Sequence, residues 1–162
     1  MKKGFYFAYR LLGVLVNMYA YVSLLICVMG LLYAGMGAAL LPSFIALCLV
    51  IYSTLSGRFG TLVLMLNQPI RHSLKDWIKV NAFVSIVAYG LTFMASAVLL
   101  GRPEVFSQII KQNPEILKQN GVTVTTAQFM AVFKLILVIS LMILVHCIWT
   151  LRLVRRFRDF FQ

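Results

Sequence analysis

Residues 129–150 read FMAVFKLILVISLMILVHCIWT, and the chain then continues LRLVRRFRDFF. That first run carries one charge, Lys134, before meeting Arg152, Arg155, Arg156 and Arg158 in quick succession. About 20 apolar residues, rising 1.5 Å each as a helix, cross the ~30 Å hydrocarbon core of a bilayer. The stretch therefore reads as a transmembrane helix with a basic collar. Three further runs have the same character, at about 11–33, 37–57 and 80–100. The expected fold is all-α. It is an integral membrane four-helix bundle of two transmembrane hairpins, with a short helical extracytoplasmic segment, 101–128, between spans three and four.

Composition supports one such domain over residues 1–162. Hydrophobic residues make up 62% and charged residues only 12%, whereas about a quarter of a soluble domain is charged. The longest polar stretch, 101–128, is too short to bury a core of its own. The net charge of +11 could suggest a nucleic-acid partner, but no basic stripe lies on a soluble fold. Lys and Arg instead flank the apolar runs, where they set orientation and meet anionic lipid headgroups.

Orientation follows from those flanks. Lys2, Lys3 and Arg10 precede span one; Arg58, Arg71, Lys75 and Lys79 connect spans two and three; Arg152, Arg155, Arg156 and Arg158 follow span four. The opposite side holds Arg102, Lys111 and Lys118, diluted by Glu104 and Glu115. The positive-inside rule places both termini in the cytoplasm of what reads as a bacterial inner-membrane protein. Aromatic residues Phe5, Tyr6, Trp77, Trp149 and Phe157 fall at the same interface, where amphipathic rings prefer to lie. Met1-Lys2-Lys3 ahead of an apolar run could open a signal peptide. However, an apolar segment of over 20 residues exceeds the ~7–15 of a cleaved one, so an uncleaved first span is expected.

Local punctuation divides the rest. Pro42 fits the first turn of span two. Residues 62–66 either extend span two or lie along the interface, and Pro69 ends them. Ser73-Leu-Lys-Asp76 reads as a capping box that starts the third helix near Leu74. In the outer segment, Pro103 opens a short helix to about Gln112. Asn113-Pro114-Glu115 caps a second that Gly121 closes, and Thr125–Gln128 caps span four. The basic–aromatic tail beyond Trp149 is expected to prolong the last helix along the cytoplasmic headgroups, with Arg152, Arg155, Arg156 and Arg158 as lipid-headgroup contacts.

No catalytic, cofactor or metal site is expected. The four carboxylates, Asp76, Glu104, Glu115 and Asp159, all lie outside the spans. An ion-coupled transporter needs one inside, to hold the proton or cation at mid-membrane. Cys27, Cys48 and Cys147 stand singly within spans, so thiol–disulfide exchange has no resolving pair. His72 and His146 differ in depth and lack a third ligand. The first-span acid of small multidrug exporters, the paired cysteines of quinone-linked thiol oxidases and the intraspan histidines of haem-anchoring subunits are missing or poorly met.

What remains is a set of polar residues inside the spans. Asn81, Ser85, Thr92 and Ser96 share one face of the third helix. Gly13, Asn17, Ala20, Cys27 and Gly30 form a comparable stripe on the first. Such stripes let membrane helices approach and hydrogen-bond, or else they line a pathway. Lys134 either snorkels to the outer interface or faces the bundle and meets an anion or a partner's acid. The expected function is that of a non-enzymatic subunit or accessory component, assembling with itself or other membrane subunits. The alternative is a small oligomeric channel or carrier for a neutral or anionic solute.

Overall fold

The computed structural model describes residues 3–34, 36–102, 104, 108, 118–119, 122–123 and 126–161. Four long helices account for most of them: α1 (Lys3–Ala34), α2 (Met36–Phe59), α3 (His72–Gly101) and α4 (Thr126–Arg156). Each, α2 together with the residues that follow it to Met65, contains a segment long and apolar enough to cross a membrane: Gly4–Tyr33, Ala39–Met65, His72–Gly101 and Ala127–Arg156. The helices outrun their apolar cores. The 31 residues of α4 reach about 46 Å at 1.5 Å per residue, well beyond the hydrocarbon thickness. The chain forms two compact units, Met1–Ala88 with Met142–Gln162, and Tyr89–Leu141.

Polarity is turned inside out relative to a soluble protein. Along α3, Val80, Phe83, Val87, Leu91, Met94 and Val98 are exposed, while Asn81, Ser85 and Ser96 are buried. The exposed set recurs every three or four residues, one helical face. A soluble helix would present the opposite pattern; a helix whose outer solvent is lipid has every reason to present this one.

In the first unit, Leu49, Tyr52, Phe59, Ile78, Ile143 and Val154 are fully enclosed. Span two does not stop at Phe59. A six-residue π-helical turn, Gly60–Met65, carries it on, and the Leu66 N–H donates to the Thr61 carbonyl over 3.2 Å. Between the two routes the sequence leaves open for 62–66, the helix takes the continuous one. Gly60 makes a close approach there: a Cβ at this position would lie 3.2 Å from Cε1 of Tyr9. The run closes with Asn67 at φ 50°, a left-handed conformation that asparagine tolerates, just ahead of Pro69.

Three expectations need correction in this unit. Pro42 lies inside α2, six residues past its start at Met36, rather than in its first turn. Helix α3 begins at His72, so Ser73 lies inside it rather than capping it. Its first turn is instead spanned by His72 Nδ1 and Asp76 Oδ2, 3.4 Å apart. The tail does not prolong α4 past Arg156. A 3₁₀ turn, Arg158–Phe160, folds the chain back, and the Ile70 N–H donates to the Phe160 carbonyl over 2.9 Å. Phe161 is buried, stacked on Phe59 with ring centroids 5.9 Å apart and capped by Lys75 Nζ at 5.7 Å. Burying an aromatic ring outweighs continuing a solvated helix turn, because Phe161 has an apolar shelf within reach.

The second unit holds the distal part of α3 and the proximal part of α4. Phe129 and Phe133 pack one turn apart, ring centroids 5.1 Å from each other. Between the helices, Glu104 and Gln108 are helical. The expected punctuation at Pro103, Asn113, Pro114 and Gly121 lies outside the described residues. The second short helix does not include Lys118–Gln119 as expected, since these residues form β1, which pairs antiparallel with β2 (Val122–Thr123). Asn-Gly stands between these strands in the sequence, the dipeptide that favours a two-residue hairpin over a helix end.

Candidate functional site

The first unit contains a polar cluster built from three helices. At the charged end of α2, Tyr52 lies six residues before Arg58; in α4, His146 lies six residues before Arg152. Equal offsets of about 9 Å from the basic collar bring the two side chains to one depth. Tyr52 Oη is 2.8 Å from His146 Nδ1 and donates to Thr150 Oγ1 over 2.9 Å. Thr150, one turn beyond His146, donates to the His146 carbonyl over 2.9 Å. Tyr9 of α1 reaches the same oxygen at 3.1 Å, and its ring stacks on the imidazole with centroids 5.1 Å apart.

Counting protons assigns the donors. The single Thr150 proton serves the His146 carbonyl, so Thr150 Oγ1 accepts from both tyrosines. The single Tyr52 proton is thereby used, and Tyr52 Oη must accept from His146 Nδ1–H. In the neutral imidazole this leaves Nε2 as a bare acceptor. Nε2 faces Gly13, where a Cβ would lie 3.1 Å away. Glycine at this position holds the space in front of the nitrogen open.

That space is part of a cavity of about 480 Å³, whose lining includes Tyr6, Arg10, Gly13, Asn17, Ser53, Thr61 and His146. Its polar wall is largely satisfied. Ser53 donates to Asn17 Oδ1 over 2.8 Å, joining α2 to α1, and Ser56 donates to the Ser53 carbonyl over 2.9 Å. Arg10, at the rim, directs Nη1 to Met65 Sδ at 3.4 Å. Among the described residues no carboxylate pairs with it.

Gly13 and Asn17 of the α1 stripe line this cavity, whereas the polar residues singled out on α3, and Lys134, are placed elsewhere. Asn81 and Ser85 are buried in the first unit and bond into their own helix, Asn81 Nδ2 to the Trp77 carbonyl and Ser85 Oγ to the Asn81 carbonyl, each at 2.8 Å. In the second unit Ser96 is buried, while Thr92 and Lys134 are exposed. The expected single polar stripe of α3 is therefore not uniformly interior. Arg152, Arg155, Arg156 and Arg158 are all exposed, and Arg158 lies 3.6 Å from Asp159. Among the described residues no three His, Cys, Asp or Glu side chains gather as a metal site would require, and the three cysteines are free. Sequence reading missed the Tyr9–Tyr52–His146–Thr150 cluster because its members come from three segments. The equal spacing of Tyr52 and His146 from their arginines was the available signal.

No family model matches the chain, and comparison with curated proteins and with solved structures finds no significant similarity.

Proposed function

We propose that the chain is a small non-enzymatic multi-pass membrane protein, with both termini cytoplasmic, that works as a subunit or accessory component of a membrane assembly. The observation that carries this reading is the distal half of α1. From Tyr21 to Tyr33 no residue is buried, although Ser23, Cys27 and Gly30 give that half a line of small residues. A Cβ on Gly30 would meet nothing within 4 Å. Membrane helices associate through such small-residue stretches, and this one is uncovered at Gly30. The interior points the same way. Asn81, Ser85, Ser53 and Ser56 bond within or between helices rather than toward a route for solute.

The cytoplasmic assignment rests on the basic asymmetry between connecting segments, and the exposed Arg152, Arg155 and Arg156 suit anionic headgroups on that side. Reporter fusions after Gln162 and within 113–121 should give opposite signals; a cytoplasmic signal from 113–121 would invert the orientation. For assembly, gentle detergent extraction with size measurement and mass spectrometry should recover a complex, of this chain with itself or with other membrane proteins. A lone monomer under several mild conditions overturns the reading.

A second reading, a channel or carrier for a neutral or anionic solute, is favoured by the 480 Å³ cavity with Arg10 at its rim. Flux across proteoliposomes separates the two, since an accessory component moves no solute by itself.

A further inference from the structure

We propose that the cavity beside His146 is a binding site for an anionic phospholipid whose headgroup carries hydroxyls, the glycerol-headed kind. Its volume, about 480 Å³, is within the range of small-molecule sites and takes a headgroup with the first part of a chain. Three features select the ligand. Arg10 presents a guanidinium fork at the rim whose described partner is a neutral thioether, and that fork matches a phosphate's paired oxygens.

Deeper in, His146 is 1% exposed and turns Nε2 toward Gly13. With Nδ1–H committed to Tyr52, this nitrogen takes a donor, which a headgroup hydroxyl supplies and a quaternary ammonium does not. Arg10 and Gly13 are three residues apart on α1, about 4.5 Å along the axis, the reach between a phosphodiester and the hydroxyls of a glycerol esterified to it.

The third feature is the way out. Phe7 and Val14, both in the lining, are 70% and 50% exposed, so the cavity opens sideways through apolar residues. An acyl chain leaves by that side into the surrounding lipid, whereas a free polar metabolite would gain nothing from it.

The test uses the full chain in neutral detergent, with lipid retention read by native mass spectrometry. The probes are phosphatidylglycerol and phosphatidylcholine with identical chains. Phosphatidylglycerol should be retained about tenfold more strongly, and Arg10→Gln should lower that retention about tenfold, the scale of one charge-assisted contact. Gly13→Val should abolish retention, because its side chain occupies the space before Nε2. Arg10 lies outside the buried cluster, so Arg10→Gln keeps the proposal testable should Gly13→Val fail to fold. Equal retention of the two lipids, or an Arg10→Gln variant that binds like the parent, overturns the proposal. So does displacement of phosphatidylglycerol by glycerol 3-phosphate at comparable concentration, which would make the ligand a free phosphate. Partner recovery in mild detergent is a separate readout, so this site and the accessory role can fail independently.

Discussion

Replacing Tyr52 by Phe removes one oxygen from the middle of the polar cluster and leaves the ring's packing in place. Two bonds go with it, to His146 Nδ1 at 2.8 Å and to Thr150 Oγ1 at 2.9 Å. Side-chain hydrogen bonds between membrane helices average about 0.6 kcal/mol and reach about 1.7. Two of them, with the Nδ1–H donor left stranded in a closed interior, set the expected loss at roughly 1–3 kcal/mol. The unfolding equilibrium should shift by about five- to 140-fold, since 1.4 kcal/mol is a factor of ten. Equilibrium unfolding in mixed micelles, titrated with a denaturing detergent, reads this directly. Tyr21→Phe is the internal control. Its hydroxyl meets Thr54 Oγ1 at 3.3 Å in an exposed setting, so its loss should stay within about 0.5 kcal/mol. Thr150→Val combined with Tyr52→Phe should cost less than the sum of the two, because the pair shares one bond. A Tyr52→Phe variant as stable as the parent, or strictly additive costs in the double variant, would refute the proton bookkeeping that joins these helices.

Ser85→Ala should change stability by no more than about 0.5 kcal/mol in the same assay, because its hydroxyl bonds back to the Asn81 carbonyl of its own helix. A larger loss would mean that Ser85 braces a neighbouring helix. Phe161→Ala should cost about 2 kcal/mol by uncovering Phe59 and should expose the tail to limited proteolysis; an unchanged cleavage pattern would show that the tail is not held. Lys134→Leu should insert at least as well as the parent and leave stability intact or improved, since the ammonium lies on an exposed face and costs up to about 3 kcal/mol in lipid. Loss of assembly in that variant, with normal insertion, would show instead that Lys134 meets an acid on a partner.

The four long helices were legible in the sequence because the bilayer imposes a length and a polarity on any segment that crosses it. A run such as 129–150 has one stable way to satisfy its backbone there. The apolar outer face of α3 was legible for a related reason: the period of Val80, Phe83, Val87 and Leu91 is a local property of one helix.

Punctuation was less dependable. Ser73 and Asp76 carry the letters of a capping box, yet a helix started one residue before Ser73 bonds its first turn through His72 and Asp76 instead. Lys118–Thr123 could be written as a helix end or a hairpin, and a pairing across the Asn-Gly dipeptide decided it.

Tertiary structure alone decided the rest. Tyr52, His146 and Thr150 lie in apolar spans and Tyr9 reads as an interface aromatic just before span one, so nothing local marks them as a group. They meet because three helices place them at one depth, where an unsatisfied hydroxyl or imidazole would be costly and a shared network removes that cost. Gly13 and Gly60 read as ordinary small residues until the His146 and Tyr9 rings are found against them. Phe161, written in a basic tail that suggests solvent or headgroups, is buried because the return of the chain at Ile70 offers it an apolar surface. Local pattern determines what one helix must do toward lipid; which side chains confront one another inside depends on contacts between segments far apart in the chain, and only the folded arrangement supplies those.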